Sequence, residues 1–411
     1  MTIHNLKTIW LVNQYSSTLD SGIGGRHYYF AKELAKQGHN VYLISASYHH
    51  LLKQPYPQNE PTMIQKIDGF HFMTLKMPIY QHAHSKQRII NEIRFNIALK
   101  KLYKHNQINK PDIIWYSSPS LIPSLGATYL SKKMQAKLLF EVRDIWPLTL
   151  IEIGGYSPKH PFIQLLAYIE KKAYKSADFF ISNLPLAINH MSQFGVDNQK
   201  FIWLPNGFSL KDFQNPDTLP ESVKNLLPKD KFIVMYTGTL GHANAIPTLL
   251  QAAAQLKDKP EIAIVLVGEG KEKNEFIEYA KQHQLQNVHF LPAIAKKQIP
   301  NMLAQADVCY VGMLNSPLYR FGTALTKLPE YLASQKPIIY GSNSPFQPIK
   351  EAQAGITIDA EDPSQLRDAI IQMFETKLEE RLLMGKRGYE YAIQNFDFNK
   401  ITDKFTKQFL L

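Results

Sequence analysis

The sequence predicts an α/β chain built as two doubly wound domains, and three observations predict it. Short, near-continuous apolar runs alternate with longer segments whose apolar residues recur at helical spacing. Runs of that kind suit parallel strands covered by helices on both faces. The alternation occurs twice, on either side of a proline-broken stretch, and 411 residues with 45% apolar content are enough for two cores.

In the first half, strands are expected at Thr8–Val12, Asn40–Ile44, Ile113–Tyr116, Leu138–Val142, Phe179–Ser182 and Phe201–Leu204, with helices over His27–Lys36 and Phe162–Lys175. In the second half the strands are Phe232–Tyr236, Ile262–Val267, Val288–Leu291, Val308–Val311, Pro337–Tyr340 and Gly355–Ile358, with helices over Ile246–Leu256 and Ser364–Phe374. The boundary falls between Pro205-Asn206-Gly207 and Lys231, where Pro216, Pro220 and Pro228 interrupt any period. The expected organisation is a domain at 1–205, a second at 206–380, and a helical tail at 381–411. That tail can align Tyr389, Ala392, Ile393, Phe396, Ile401, Phe405 and Phe409 on one face and pack back toward the first domain. Two such domains facing across a cleft would bind ligands at the carboxyl ends of their strands.

All the excess positive charge lies in the first half. Residues 1–200 hold 23 Lys+Arg against 12 Asp+Glu, while residues 201–411 hold 23 of each. A one-sided field of this kind points to an anionic surface or substrate. A nucleic-acid partner is not expected, since no zinc-finger spacing, RNA-binding signature or recognition-helix module accompanies the charge. The single cysteine, Cys309, fits a reducing compartment, and residues 1–13 read as a buried strand instead of a signal peptide. No apolar run reaches the roughly 20 residues that span a bilayer.

Glycine turns follow several strands. Gly24-Gly25-Arg26 opens the first helix and can bring backbone amides to an anion or a sugar. The loop before it is too long for a dinucleotide fingerprint, and no acid follows the second strand. Tyr236-Thr237-Gly238-Thr239-Leu240-Gly241 offers small residues and free amides that could hold a diphosphate. Gly268-Glu269-Gly270 closes the next strand, and Lys271 or Lys273 could reach the same phosphate or simply be solvated. Lys327 and Glu330 stand three apart, neighbours on one helical face, either as phosphate and ribose ligands or as a local ion pair. Arg143-Asp144-Ile145-Trp146-Pro147 ends a buried strand with charges aimed where ligands bind. Arg143 suits a phosphate and Asp144 a hydroxyl.

Taken in order, these pieces resemble the retaining, sugar-nucleotide-dependent glycosyltransferases of family four, with the GT-B architecture of two Rossmann-like domains. Leu204-Pro205-Asn206-Gly207 and Pro329-Glu330-Tyr331-Leu332-Ala333 belong to the same pattern, and the resemblance covers nearly the whole chain. The family's first donor-side glutamate is Gly322 here, and Asn244-Ala245 stands near its usual Lys-Gly. That departure is similar to a branch that builds bacterial surface polysaccharides, including amino-sugar transferases such as L-fucosamine transferase. The resemblance implies an N-terminal acceptor-side domain and a C-terminal nucleotide-sugar domain. It places Arg143, Asp144 and Lys327 in catalysis. Gly25, Arg26, Gly238, Thr239, Gly241, Lys273, Pro292 and Glu330 then surround the donor. Within that set, Glu330 holds ribose, the turn at Pro292 meets uracil, and Gly241, Lys273 and Lys327 lie near the diphosphate. No metal or cofactor is implied, and the donor is a UDP-sugar.

The acceptor implied is a polyprenyl-diphosphate-linked saccharide of O-antigen or capsule assembly. From Lys86 to Lys104 the chain has six Lys+Arg against one acid, with Ile89, Ile90, Ile93, Ile97 and Leu102 able to form an apolar face after Met77, Ile79 and Tyr80. Residues 77–104 are therefore expected to rest on the anionic cytoplasmic face of the inner membrane. A soluble-acceptor glucosyltransferase and a noncatalytic nucleotide-sugar or glycan binder are the alternative readings.

Overall fold

Most of the apolar runs become strands buried on both faces, so their side chains need no polar alternation; the runs at the sheet edges, Phe201–Trp203, Val288–Leu291 and Gly355–Ile358, are partly exposed. In the computed structural model, which describes residues 6–22, 24–80 and 86–410, the first unit holds eight strands. They are β1 (Thr8–Val12), β2 (Asn40–Ala46), β3 (Thr62–Ile67), β4 (Phe70–Leu75), β5 (Ile113–Ser117), β6 (Lys137–Val142), β7 (Phe179–Ser182) and β8 (Phe201–Trp203). The sheet order is β3-β4-β2-β1-β5-β6-β7-β8, parallel except for β3. The β3–β4 hairpin is absent from the sequence expectation. β3 is half-exposed and lacks a continuous apolar run, while β4 is buried; Asp68-Gly69 between them, both with positive φ (46° and 89°), is a recognisable two-residue hairpin turn.

The second unit carries β9 (Phe232–Thr237), β10 (Ile262–Val267), β11 (Val288–Leu291), β12 (Val308–Gly312), β13 (Ile338–Gly341) and β14 (Gly355–Ile358). They form an all-parallel sheet ordered β11-β10-β9-β12-β13-β14. The chain thus has the α/β GT-B fold, two Rossmann-like domains each with a topological switch point, at β1/β5 in one and β9/β12 in the other.

By internal contacts the first unit comprises Met1–Pro205 with Ile401–Leu411, and the second Asn206–Lys400. The tail at 381–411 therefore does not pack back as one piece. Helix Leu378–Asn395 stays in the second unit, where Gly385 lets it approach so closely that a Cβ there would lie 1.9 Å from the Gln335 carbonyl. Only the final turns join the first unit. Phe405 stacks on Trp115 with centroids 4.8 Å apart, and Gln37 bonds both Asp403 and Thr406. Asp362 caps helix Pro363–Glu375, accepting hydrogen bonds from the Ser364 and Gln365 amides.

One charged group sits inside the first sheet. Glu141, in β6, is fully buried and meets Arg26 (2.7 Å), His27 (2.8 Å) and the Trp115 indole N–H (3.1 Å). Burial by itself would raise its pKa, but Arg26 and His27 beside it hold it well below the usual carboxylate range. Burial pushes His27 down to about 4 against the pull of Glu141, so the imidazole is neutral near pH 7. Removing one member of a buried pair strands the other. Glu141→Ala is expected to lower unfolding free energy by about 3–5 kcal/mol, read by urea denaturation. A loss under 1 kcal/mol would show that the pair contributes little.

Candidate active site

In the second unit, β9 ends at Thr237 beside the switch point, and the chain there is locked twice. Tyr331, in the short helix Leu328–Ala333, donates its hydroxyl to the Thr237 carbonyl (3.0 Å) and accepts from the Thr237 amide (2.6 Å). The turn after β9 also lies backbone-to-backbone against the turn after β10. The Gly238 amide donates to Val267 O and the Leu240 amide to Glu269 O, both at 2.9 Å. A Cβ on Gly268 (φ 152°) would fall 1.9 Å from Gly238 O, so only glycine permits this approach. The two glycine turns found in the sequence are thus one structure.

Lys327 immediately precedes that helix and points back at the turn. Its ammonium donates to the Tyr236 hydroxyl (2.6 Å) and to Asn244 Oδ1 (2.8 Å), and lies 4.2 Å from the centre of the Tyr236 ring. Tyr236 and Asn244 both donate in turn to the Thr239 carbonyl, closing a neutral cage. Among the described residues no carboxylate lies within ion-pair distance of Lys327, and burial brings its pKa down to about 7. A half-buried cation without a counter-ion is a candidate place for an anion.

The other donor-side residues divide. Glu330 does not pair with Lys327; its carboxylate meets Lys296. Lys273 is occupied within the wall, donating to Gly268 O (2.9 Å), Glu269 (2.7 Å) and Leu291 O (3.3 Å), so it braces the second glycine turn. Gly238, Thr239 and Pro292 are exposed at strand ends, and Gly241 is buried with extended backbone.

In the first unit, Gly25 opens helix Gly25–Lys36 with no acid in its first turn and open space where a Cβ would stand. Arg26, expected beside the sugars, is instead 5% exposed. It holds Glu141 and the carbonyls of Leu204 (3.0 Å) and Pro205 (2.8 Å). Its role is internal. Asp144 is fixed by the Trp146 indole (2.9 Å) and the Thr149 hydroxyl (2.6 Å), one on each oxygen. Arg143 is half-buried and its Nε has no hydrogen-bond partner among the described residues, a donor that a ligand oxygen would satisfy. Burial lowers its pKa against the opposing pull of Glu141 and Asp144.

Sequence reasoning missed the residues around these strand ends. Arg88 donates from Nε to the Tyr15 hydroxyl (3.0 Å) and lies 6.0 Å from the centre of the Trp146 ring, joining helix Lys86–Lys101 to the Asp144 wall. Tyr236 and Asn244 were also missed as partners of Lys327. The signal for Glu141 was present: a carboxylate inside an apolar strand requires a buried cation. Among the described residues no group of three or more His, Cys, Asp and Glu is placed to hold a metal ion.

Two doubly wound sheets, each with its own switch point, are the GT-B arrangement. Residues 21–212 match the Glycosyltransferase Family 4 model and residues 217–391 the Glycosyl transferases group 1 model, and the protein is a GT-B glycosyltransferase of family four. It is 25% identical over 305 residues, 71% of this chain and 73% of the other, to the Escherichia coli K12 glycosyl transferase WcaI, named for colanic acid biosynthesis. Among solved structures it is similar to sucrose-phosphate synthase from Thermosynechococcus elongatus (TM-score 0.75, 18% identity, 98% of each chain). It is also similar to Anabaena HepE in complex with UDP and glucose (TM-score 0.65, 14% identity, 98% of each chain).

If Lys327 is the anion site, pyrophosphate should bind its cationic form. Affinity measured by calorimetry is then expected to fall as pH rises through about 7. At pH 8 binding should take up about one proton, seen by comparing buffers of different ionisation heat. Lys327→Met should remove both effects; an unchanged proton uptake would assign it to another group.

Proposed function

We propose that the protein is a retaining glycosyltransferase moving an N-acetylated or deoxy sugar from a UDP-sugar to a polyprenyl-diphosphate-linked saccharide in surface-polysaccharide assembly. The observation that carries the donor half is the caged, counter-ion-free Lys327 beside the interlocked glycine turns. HepE, of the same fold, is described with UDP and glucose, which supports a uridine donor here. The relation to a colanic acid enzyme supports a polysaccharide acceptor.

In this reading the bond between the anomeric carbon and the β-phosphate oxygen breaks, and the acceptor oxygen bonds to that carbon. The acceptor proton passes to the departing phosphate. Lys327 and the Thr239 and Gly241 amides, the two in that turn not already given to the neighbouring glycine turn, stabilise the charge that develops on the diphosphate. Asp144, with both oxygens already oriented, positions a sugar hydroxyl, and Arg143 meets an acceptor or donor oxygen. Glu330 reaches ribose once Lys296 yields its place.

The acceptor half is supported by helix Lys86–Lys101, whose polarity is inverted. Asn91, Glu92, Phe95, Asn96 and Leu99 face inward, whereas Ile90, Ile93 and Ile97 are exposed beside Lys86 and Arg94. The expected 77–104 patch needs correction at its ends: Met77, Tyr80 and Leu102 are buried in the unit's own core, and residues 81–85 lie outside the described residues. Among the described residues no helix is long and apolar enough to cross a membrane, so contact would be peripheral, on the cytoplasmic face.

Incubating the protein with a panel of nucleotide sugars and polyprenyl-linked mono- and disaccharides, followed by mass analysis, tests the reaction. One transferred glycosyl mass with release of UDP is expected. Lys327→Ala should lower turnover by about 10²–10³-fold without lowering the unfolding midpoint. Nucleotide binding with neither transfer nor hydrolysis would support the binding-protein reading instead.

A further inference from the structure

We propose that the first unit meets an anionic bilayer through three neighbouring helices, and that helix Pro161–Ser176 is as much part of that surface as helix Lys86–Lys101. This deepens the lipid-linked-acceptor reading and rests on it. Helix Lys86–Lys101 packs against helix Ser124–Met134, which packs against helix Pro161–Ser176, so the three form one layer on one face of the first sheet.

Each helix turns large apolar side chains outward. Ile90, Ile93 and Ile97 on the first are 44–48% exposed. Tyr129 on the second is 40% exposed, and Leu165 and Tyr168 on the third are 49% and 64% exposed. The turn leading into the third helix adds Ile153 at 62%. These residues stand at helical spacing on outer faces, and the inner face of helix Pro161–Ser176 is already filled by Ile163, Leu166, Ile169 and Ala173. The outer apolar residues are therefore not left over from an incomplete core.

The charge on the layer is of one sign. Lys132 and Lys133 are exposed on the middle helix, and Lys171, Lys172 and Lys175 on the third. The three helices contain two carboxylates, Glu92 and Glu170, and both are buried, at 5% and 2% exposure. Glu92 faces Arg88, and Glu170 is satisfied by Tyr174 (3.2 Å) and His190 (2.8 Å). No acid faces outward on the three helices; the exposed Glu152 stands beside Ile153 in the turn before the third. A solvated helix surface ordinarily intersperses both signs. Lysines without acids, interleaved with isoleucine, leucine and tyrosine, match a headgroup region instead: phosphates above, acyl-chain boundary below. A polyanion such as DNA would use the lysines but leave the apolar residues in water.

The experiment is co-sedimentation with vesicles of phosphatidylcholine, with and without phosphatidylglycerol. Binding is expected only with the anionic lipid. Leu165→Ser with Tyr168→Ser, and separately Lys171→Glu with Lys172→Glu, should each weaken it about tenfold or more, as should Ile93→Ser with Ile97→Ser. Unfolding midpoints and turnover on a water-soluble, short-chain acceptor should stay at the parent value, which separates lost docking from lost folding. If the 165/168 and 171/172 variants bind like the parent while the 93/97 variant does not, the three-helix surface is wrong and the single-helix contact stands. If the parent ignores anionic vesicles yet transfers sugar in the mass assay, the membrane surface falls and the enzyme reading survives. Retention on DNA without vesicle binding would also overturn the proposal.

Discussion

A single buried carboxylate organises the first unit. Glu141 lies in the middle of a sheet where an isolated charge would be strongly unfavourable, and it persists because Arg26, His27 and Trp115 all converge on it. The consequences run outward along the chain in both directions. Two residues on from Glu141 stand Arg143 and Asp144, so the hub that fixes the strand also fixes the end that carries candidate chemistry. Immediately before Arg26 stand Gly24 and Gly25, so the same ion pair pins the opening turn of helix Gly25–Lys36 and the direction of its free amides. Arg26 further holds the carbonyls of Leu204 and Pro205, the last residues of this unit before the chain enters the next.

Two cations, the buried Arg26 and the half-buried Lys327, are handled in opposite ways. Arg26 faces a carboxylate and the carbonyls of Leu204 and Pro205. Lys327 has a phenol, an amide and an aromatic face, all neutral, and is left with its charge uncompensated. A carboxylate partner marks the first as structural. The lack of one at the second is the ground for the proposed diphosphate contact, since an arriving anion would supply the missing charge. The caging costs stability: with its pKa pushed down to about 7, the lysine binds a proton less readily in the folded chain than in the unfolded one. That is a cost a site can carry and a core position has no reason to.

How much of this was legible in the sequence follows from what a linear pattern encodes. Most of the twelve apolar runs became strands because burial on both faces leaves a local signature that needs no partner to read. In the β3–β4 hairpin β3 is half-exposed and carries no such signature, whereas the buried run Phe70–Leu75 and the turn Asp68-Gly69 were there to be read. Lys327 was legible as a candidate from its three-residue spacing to Glu330 and from the family resemblance, but its supposed neighbour Glu330 was not its partner. The short helix begins one residue after Lys327, which turns the lysine back toward Tyr236 while Glu330 faces Lys296. Arg26 and Lys273 look like ligands in sequence because a cation's internal partner, Glu141 or a turn carbonyl, is distant or conformational. The membrane-side helix illustrates the same limit. Its composition was readable, but the burial of Asn91, Glu92 and Asn96 with the isoleucines outward needed the fold.

Net charge and local charge do different work in the two units. The first half carries the whole excess of +11, and much of it is exposed lysine on a helix layer whose acids are turned inward. Such a field acts over a Debye length, is weakened by salt, and suits a broad anionic surface. The second half is neutral in sum, yet holds the most anion-ready group in the chain, because one desolvated ammonium acts at contact distance and is screened little. Composition alone would have assigned anion recognition wholly to the first half. The proposed division of labour differs: a diphosphate would be met by a few fixed donors around Lys327, and a membrane by many mobile lysines.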